Sequence, residues 1–243
     1  MGRSARIEIP GGIHHVFSRG NNRKTVFHDA RDHRQFLTFL RRSLDRFGMY
    51  CLGFCQMPNH YHLVLETPDP TLGDAMRDLN GGYAQWFNWR HATGGGHVFQ
   101  GRYGSKPVSS DEQFAQLQRY IASNPVAAGL CRSPDQWTWS SHNILVSSIP
   151  DPIVAVDRVE ERLGVWGGSS GRRYASLFES DGPLGHIDPD LSPWKLRPTL
   201  AEIVSGSELS AAVRRARRHG YTLAEVAAFT GLSPATISRQ LRG

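Results

Sequence analysis

The chain has 243 residues, 39% of them hydrophobic, and a formal charge of +6; this allows one sizeable core plus a small appendix, argues against disorder throughout, and points toward a polyanionic partner. Three cysteines, Cys51, Cys55 and Cys131, lack CxxC spacing, so neither a disulfide framework nor a zinc-finger quartet is expected. With no apolar leader segment and no run of about 18 apolar residues, the sequence predicts a soluble protein of the reducing cytoplasm, with no membrane partner.

A short β-prone run over 13–18 ends in the basic turn Arg19-Gly20-Asn21-Asn22-Arg23-Lys24, whose glycine and asparagines permit unusual backbone angles. Asp29 is placed to cap a helix that carries Phe36, Phe39, Leu40, Leu44 and Phe47 at helical spacing and stops at Gly48. Tyr50 to Gln56 and His60 to Thr67 read as a hairpin around Met57-Pro58-Asn59. From Leu72 to about Arg90 a second helix is predicted, followed by a strand pair near Val98 and Val108. Ser110 or Asp111 caps a third helix expected to run to about Ser123, with Phe114, Leu117 and Ile121 on one face and Tyr120 in its last turn. This order of elements predicts an α+β fold, an antiparallel or mixed sheet flanked by helices, to about residue 145.

Beyond Ile149 the texture changes to a glycine- and proline-rich stretch with one helical segment around Val154 to Leu163. From about residue 205 a small all-α pattern begins. Leu209, Val213 and Ala216 form one stripe, Thr222-Leu223-Ala224-Glu225 is a capping box, Gly231 makes a turn, and Ser233-Pro234 opens a helix with Ile237 and Leu241. That is a helix-turn-helix pattern. Arg239 and Arg242 fall on its terminal face, suited to duplex DNA; the same packing also serves helical elements that never enter a groove.

The chemistry-bearing residues lie in the hairpin and the third helix. Alternation along a strand puts His60 and His62 on one face, roughly 7 Å apart, with Tyr61 on the other. Two imidazoles so placed can converge on one metal ion; an HxH pair on its own is more often a pair of ordinary structural histidines on a half-buried sheet. Tyr120 and Asn124 share one helical face if the helix reaches Asn124. Asn124 before Pro125 is also a cap signal for a new helix, so it reads as metal ligand, as cap, or as both. For Tyr120 itself the alternative is a packed aromatic with its hydroxyl in water. Arg19, Asn21, Asn22 and Arg23, with Arg102, Tyr103 and Lys106, offer donors and a ring suited to single-strand contact, or form a solvated charged surface.

The run Met57-Pro58-Asn59-His60-Tyr61-His62-Leu63, together with the stretch from Tyr120 through Asn124-Pro125 to Leu130, resembles the repetitive-extragenic-palindrome (REP)-associated tyrosine transposases. These are single-tyrosine HUH enzymes related to the transposases of the smallest insertion sequences. His15-Val16-Phe17-Ser18-Arg19-Gly20-Asn21-Asn22 and Val98-Phe99-Gln100-Gly101-Arg102-Tyr103 extend the resemblance over most of residues 10–145. It implies a ferredoxin-like catalytic domain over 1–148, leaving a helical extension and linker over 149–200 and the helix-turn-helix segment over 201–243.

The resemblance further implies that His60, His62 and Asn124 hold a divalent ion, Mg2+ or Mn2+, and that Tyr120 is the nucleophile. The expected activity is cleavage and transfer of single-stranded DNA at hairpin-forming palindromes through a 5′-phosphotyrosine. The expected partners are single-stranded and hairpin DNA, with a duplex stem for the C-terminal segment; the sequence favours neither monomer nor dimer. Two alternatives keep the same residues: a non-catalytic DNA-binding regulator, and a relaxase or rolling-circle initiator.

Overall fold

The computed structural model describes residues 10–164, 170–179, 200–204, 208–218 and 223–239. Four strands form one antiparallel sheet: β1 (Gly12–Arg19), β2 (Tyr50–Met57), β3 (His60–Thr67) and β4 (Gly104–Val108), in the order β2-β3-β1-β4. The sheet is buried on both faces, so β2 and β3 read as near-continuous apolar runs.

On one face lie α1 (Ala30–Phe47) and α2 (Leu72–Arg90), packed against each other and against Tyr61, whose ring lies 4.7 Å from that of Phe36. The Asp29 carboxylate accepts the backbone N–H groups of Arg31 and Asp32 to start α1, and Gly48 ends it in the left-handed conformation, as the capping signals predict. Gly82 lets α2 approach α1: a Cβ there would lie 2.9 Å from the Phe39 ring.

The opposite face carries α3 (Asp111–Ala127), whose close seat on β2 depends on Gly53; a Cβ at that position would meet Gln118 Oε1 at 2.7 Å. The expected helix end near Ser123 is not observed. Helix α3 continues through Pro125 to Ala127, and Asn124 lies inside it, so Asn124 is no N-cap. The stop is a Schellman motif. Leu130 N–H donates to the Pro125 carbonyl and Gly129 N–H to the Val126 carbonyl, with Gly129 at φ +70°. Only the tail of α3 lacks the Pro125 donor, so the cost of the proline is confined to one turn.

The expected strand at Val98 is also absent. Phe99 makes an isolated bridge to Gly20, and positive φ at Gly94, Gly95 and Gly96 turns the preceding chain into a loop.

After α3, the segment 134–142 covers the β2 edge: Gln56 N–H donates to the Trp139 carbonyl and Trp137 Nε1 donates to the Gln56 carbonyl. Helices α4 (His142–Ser147), α5 (Val156–Arg162) and α6 (Ser170–Ser176) follow, and the main core extends through Val154, Val156, Val159 and Tyr174. The glycine- and proline-rich stretch therefore begins with chain that packs on the sheet. Helices α7 (Leu200–Val204), α8 (Leu209–Arg218), α9 (Leu223–Thr230) and α10 (Pro234–Arg239) build a second cluster around Ile203, Val213, Ala216, Val226 and Ile237. Gly231 turns the chain at φ +71°, and Ser233 Oγ accepts the Thr236 N–H to start α10. Thr222, Leu241 and Arg242, singled out in the sequence, lie outside the described residues. No helix among the described residues is long and apolar enough to cross a membrane.

Candidate active site

Strand parity puts His60 and His62 on the α3 face and Tyr61 on the α1/α2 face, as the sequence predicts. The rings of His60 and His62 converge to 5.0 Å between centroids, edge to face. Tyr120, reaching down from α3, places its ring 5.5 Å from His62, also edge-on. Asn124 follows one turn later on the same side of α3, made possible by the unbroken helix.

All four side chains are buried, Tyr120 to 3% exposure and His60 to none. Burial pushes His60 well below the ordinary imidazole range, with nearby His62 adding to the effect, and burial alone takes His62 down to about 3. Both are therefore neutral near pH 7, the form in which a histidine binds metal. Burial pushes the Tyr120 phenol up to about 12, opposed by the Asn124 amide. Among the described residues neither the Tyr120 hydroxyl nor either polar atom of the Asn124 amide makes a hydrogen bond of good geometry. The amide is nonetheless close enough to bias both Tyr120 and His60. A buried amide left this way is costly unless something else engages it.

No group of three or more His, Cys, Asp or Glu side chains suited to a metal occurs among the described residues. The donor set to be considered is thus two neutral imidazoles and one amide oxygen. Such a set fits a divalent cation that takes its further oxygens from substrate and water.

Two residues that sequence reasoning did not assign to the site stand behind the histidines. His15, on β1, approaches His62 with 3.0 Å between its Nε2 and His62 Nδ1. Asn59 accepts at Oδ1 from His60 Nδ1 at 2.7 Å, while its Nδ2 donates to the Arg23 carbonyl. The signal for His15 was its parity on β1, which sends it to the same face as Phe17 and Arg19. Gln118, also on α3, is buried against β2, where its Nε2 donates to the Leu52 carbonyl. Glu66 shares the histidines' strand parity but forms an ion pair with Arg158 at 2.9 Å.

The expected nucleic-acid contacts are placed unequally. Arg19 pairs in register with His60 across β1 and β3, and its Nε donates to Gln100 Oε1 at 2.7 Å. Asn21 to Arg23 form a 3-10 turn beside it, with Asn22 and Arg23 both exposed and at positive φ. Gly20 adopts ordinary φ here; it is needed for space, since a Cβ would lie 2.1 Å from the Lys24 carbonyl oxygen. Arg102 is exposed, and Lys106 is half-buried opposite His15. Tyr103 is buried, so its ring is part of the core and not an open stacking platform. It lines, with Phe99, Arg102, Asn80 and His97, a groove of about 620 Å³ beside α2. Arg239 lies in α10.

Residues 11–124 match the family model described as "Transposase IS200 like". A solved REP-associated tyrosine transposase bound to a REP hairpin is 19% identical, with a TM-score of 0.52 over 64% of this chain and 92% of that one. That likeness confirms the α+β fold. A candidate transposase of Deinococcus radiodurans R1 is 24% identical over 50% of this chain and 94% of that one, at a TM-score of 0.36. No curated protein matches. The matched span opens at the first strand and closes on Asn124, taking in the sheet, the histidine pair and the tyrosine. Residues 11–124 are thus similar to the domain of IS200-like transposases.

Proposed function

We propose that this chain cleaves and rejoins single-stranded DNA at the foot of hairpins, using Tyr120 as the nucleophile. The observation that carries the reading is the convergence of Tyr120 on the His60–His62 pair under α3, with Asn124 one turn away. A transposase domain must break and join DNA, and the hairpin in the similar solved structure supports hairpin DNA as the substrate class.

In this reading Arg19, Asn21, Asn22 and Arg23, at the His60 end of β1, receive the DNA backbone, with Arg102 as a further exposed cation and Lys106 beside the site. Tyr120 Oη attacks phosphorus as the bond to the 3′-oxygen breaks. The phenol gives up one proton and the departing 3′-oxygen takes one up, leaving a 5′-phosphotyrosine and a free 3′-hydroxyl. Attack by a second 3′-hydroxyl releases Tyr120 and reseals the strand, with no nucleotide cofactor. A divalent ion, Mg2+ or Mn2+, held by His60, His62 and the Asn124 amide oxygen would supply charge neutralisation at the phosphate. Because Tyr120 is buried, α3 and the sheet have to part at this point before a phosphate reaches its oxygen. The C-terminal helix-turn-helix segment binds duplex DNA, such as a hairpin stem, through Arg239 and Arg242.

The test is incubation of the full chain with hairpin-bearing single strands from DNA flanking its own gene, with Mg2+ or Mn2+ and with chelator. Denaturant-resistant protein–DNA adducts are expected from the wild type and not from Tyr120→Phe. Cleavage by Tyr120→Phe would move the nucleophile elsewhere; tight hairpin binding by a wild type that never forms an adduct would favour a non-catalytic regulator.

A further inference from the structure

A neutral imidazole carries one N–H and one lone pair, so a histidine that binds metal through one nitrogen must place its proton on the other. For His60 the chain settles this locally. Asn59 Nδ2 donates to the Arg23 carbonyl, which turns Asn59 Oδ1 toward His60; that oxygen only accepts, so His60 Nδ1 holds the proton and Nε2 the lone pair. At His62 Nδ1 the neighbour is another imidazole, His15 Nε2 at 3.0 Å, with the two rings stacked at 30° and 5.1 Å between centroids.

We propose that His15 is a positioning residue that accepts a hydrogen bond from His62 Nδ1 and so fixes the His62 lone pair on Nε2. The inference rests on the reading of His60 and His62 as a metal-binding pair. In the opposite arrangement His15 Nε2 donates, His62 Nε2 carries a proton, and that nitrogen is no ligand. A cation at His62 Nε2 therefore needs an acceptor at Nδ1 in a site where all three rings are buried, and His15 is the group in place. The accepting arrangement puts the His15 proton on Nδ1, a buried nitrogen without a hydrogen-bond partner among the described residues. This leaves an unsatisfied donor in the metal-free protein, and a metal at His62 is what would favour that arrangement. His15 and Asn59 then do the same service for the two histidines from opposite sides: one from β1, the other from the hairpin turn.

The experiment is Mn2+ titration of the full chain, followed by the electron paramagnetic resonance of free Mn2+, for the wild type, His15→Gln and His15→Leu. Glutamine places an amide oxygen about where Nε2 stood; leucine offers no acceptor. His15→Leu is expected to weaken Mn2+ binding roughly ten- to a hundredfold, with His15→Gln staying within about threefold of the wild type. Imidazole 15N chemical shifts of the wild type with Mg2+ bound, expected to show His62 protonated at Nδ1, decide the matter even if His15→Leu does not fold. Unchanged Mn2+ affinity in a folded His15→Leu, or a His62 protonated at Nε2, overturns the inference alone. A wild type that takes up no Mn2+ overturns the metal-pair reading together with it.

Discussion

Tyr120 and Asn124 stand one helical turn apart in α3, both buried, and neither the phenol nor the amide makes a hydrogen bond of good geometry among the described residues. Removing a polar atom that is not hydrogen-bonded should cost the fold little. Tyr120→Phe and Asn124→Ala are each expected to change unfolding stability by no more than about 1 kcal/mol, with Tyr120→Phe neutral or slightly stabilising. Asn124→Ala should nevertheless raise the Mn2+ concentration required for cleavage roughly tenfold. Urea melts beside a metal titration of cleavage make the comparison, and an unchanged metal requirement would reduce Asn124 to a structural residue of α3.

A second expectation concerns pH. His33 is stacked between Phe27, at 4.8 Å and 16°, and Trp139, at 4.3 Å and 5°, and its Nδ1 meets Gln56 Oε1 at 3.1 Å. Burial holds its pKa down to about 4, with the Gln56 hydrogen bond and the Asp32 and Asp29 charges opposing. The folded value lies below the unfolded one near 6.5, so the unfolded chain binds the extra proton. The neutral ring's contribution is complete above about pH 6.5 and is lost, at about 1.4 kcal/mol per unit, as pH falls toward about 4. His33→Gln should flatten the fall in urea midpoint between pH 7 and 5. Parallel curves for variant and wild type would mean the ring is charged in the fold.

Neighbouring glycines of α2 should respond differently to the same change. A Cβ at Gly81 meets nothing within 4 Å, whereas one at Gly82 lies 2.9 Å from the Phe39 ring. Gly81→Ala is expected to stabilise by about 0.5–1 kcal/mol, chiefly by restricting the unfolded chain. Gly82→Ala should fall below it by about 1 kcal/mol or more, through overpacking between α1 and α2. Thermal melts of the two variants settle the order, and equal gains would show that α1 yields freely at Phe39.

Deletion of residues after 199 should spare the sheet domain, because the α7–α10 cluster is built from its own apolar residues. The shortened chain is expected to keep the near-ultraviolet dichroism of the aromatic core and to lose duplex affinity. Undiminished binding to a hairpin stem would remove the C-terminal helices from DNA recognition.

Much of this arrangement was legible because it follows from period. Alternation along β3 was enough to separate His60 and His62 from Tyr61, and apolar spacing with Asp29 and Gly48 was enough to bound α1. At Asn124-Pro125 the local rule failed. The pre-proline residue is helical because Ala128 and Leu130 pack on the core and Gly129 closes a Schellman turn, so tertiary contact overrides the local preference. Val98 and Phe99 have β-prone side chains, but the three glycines before them turn the backbone away from the sheet. His15 was missed for another reason: its role lies in which ring nitrogen faces His62, and no spacing rule records that.

The enclosure of Tyr120 has a consequence for timing. A phenol shut away from solvent and raised to about 12 is almost wholly protonated at neutral pH. If Tyr120 is the nucleophile, as proposed, it is thereby kept latent while the protein is idle, and passing single strands meet an inert surface. Only a ligand whose contacts repay the separation of α3 from the sheet can arm it, so selectivity is exercised before any bond is broken.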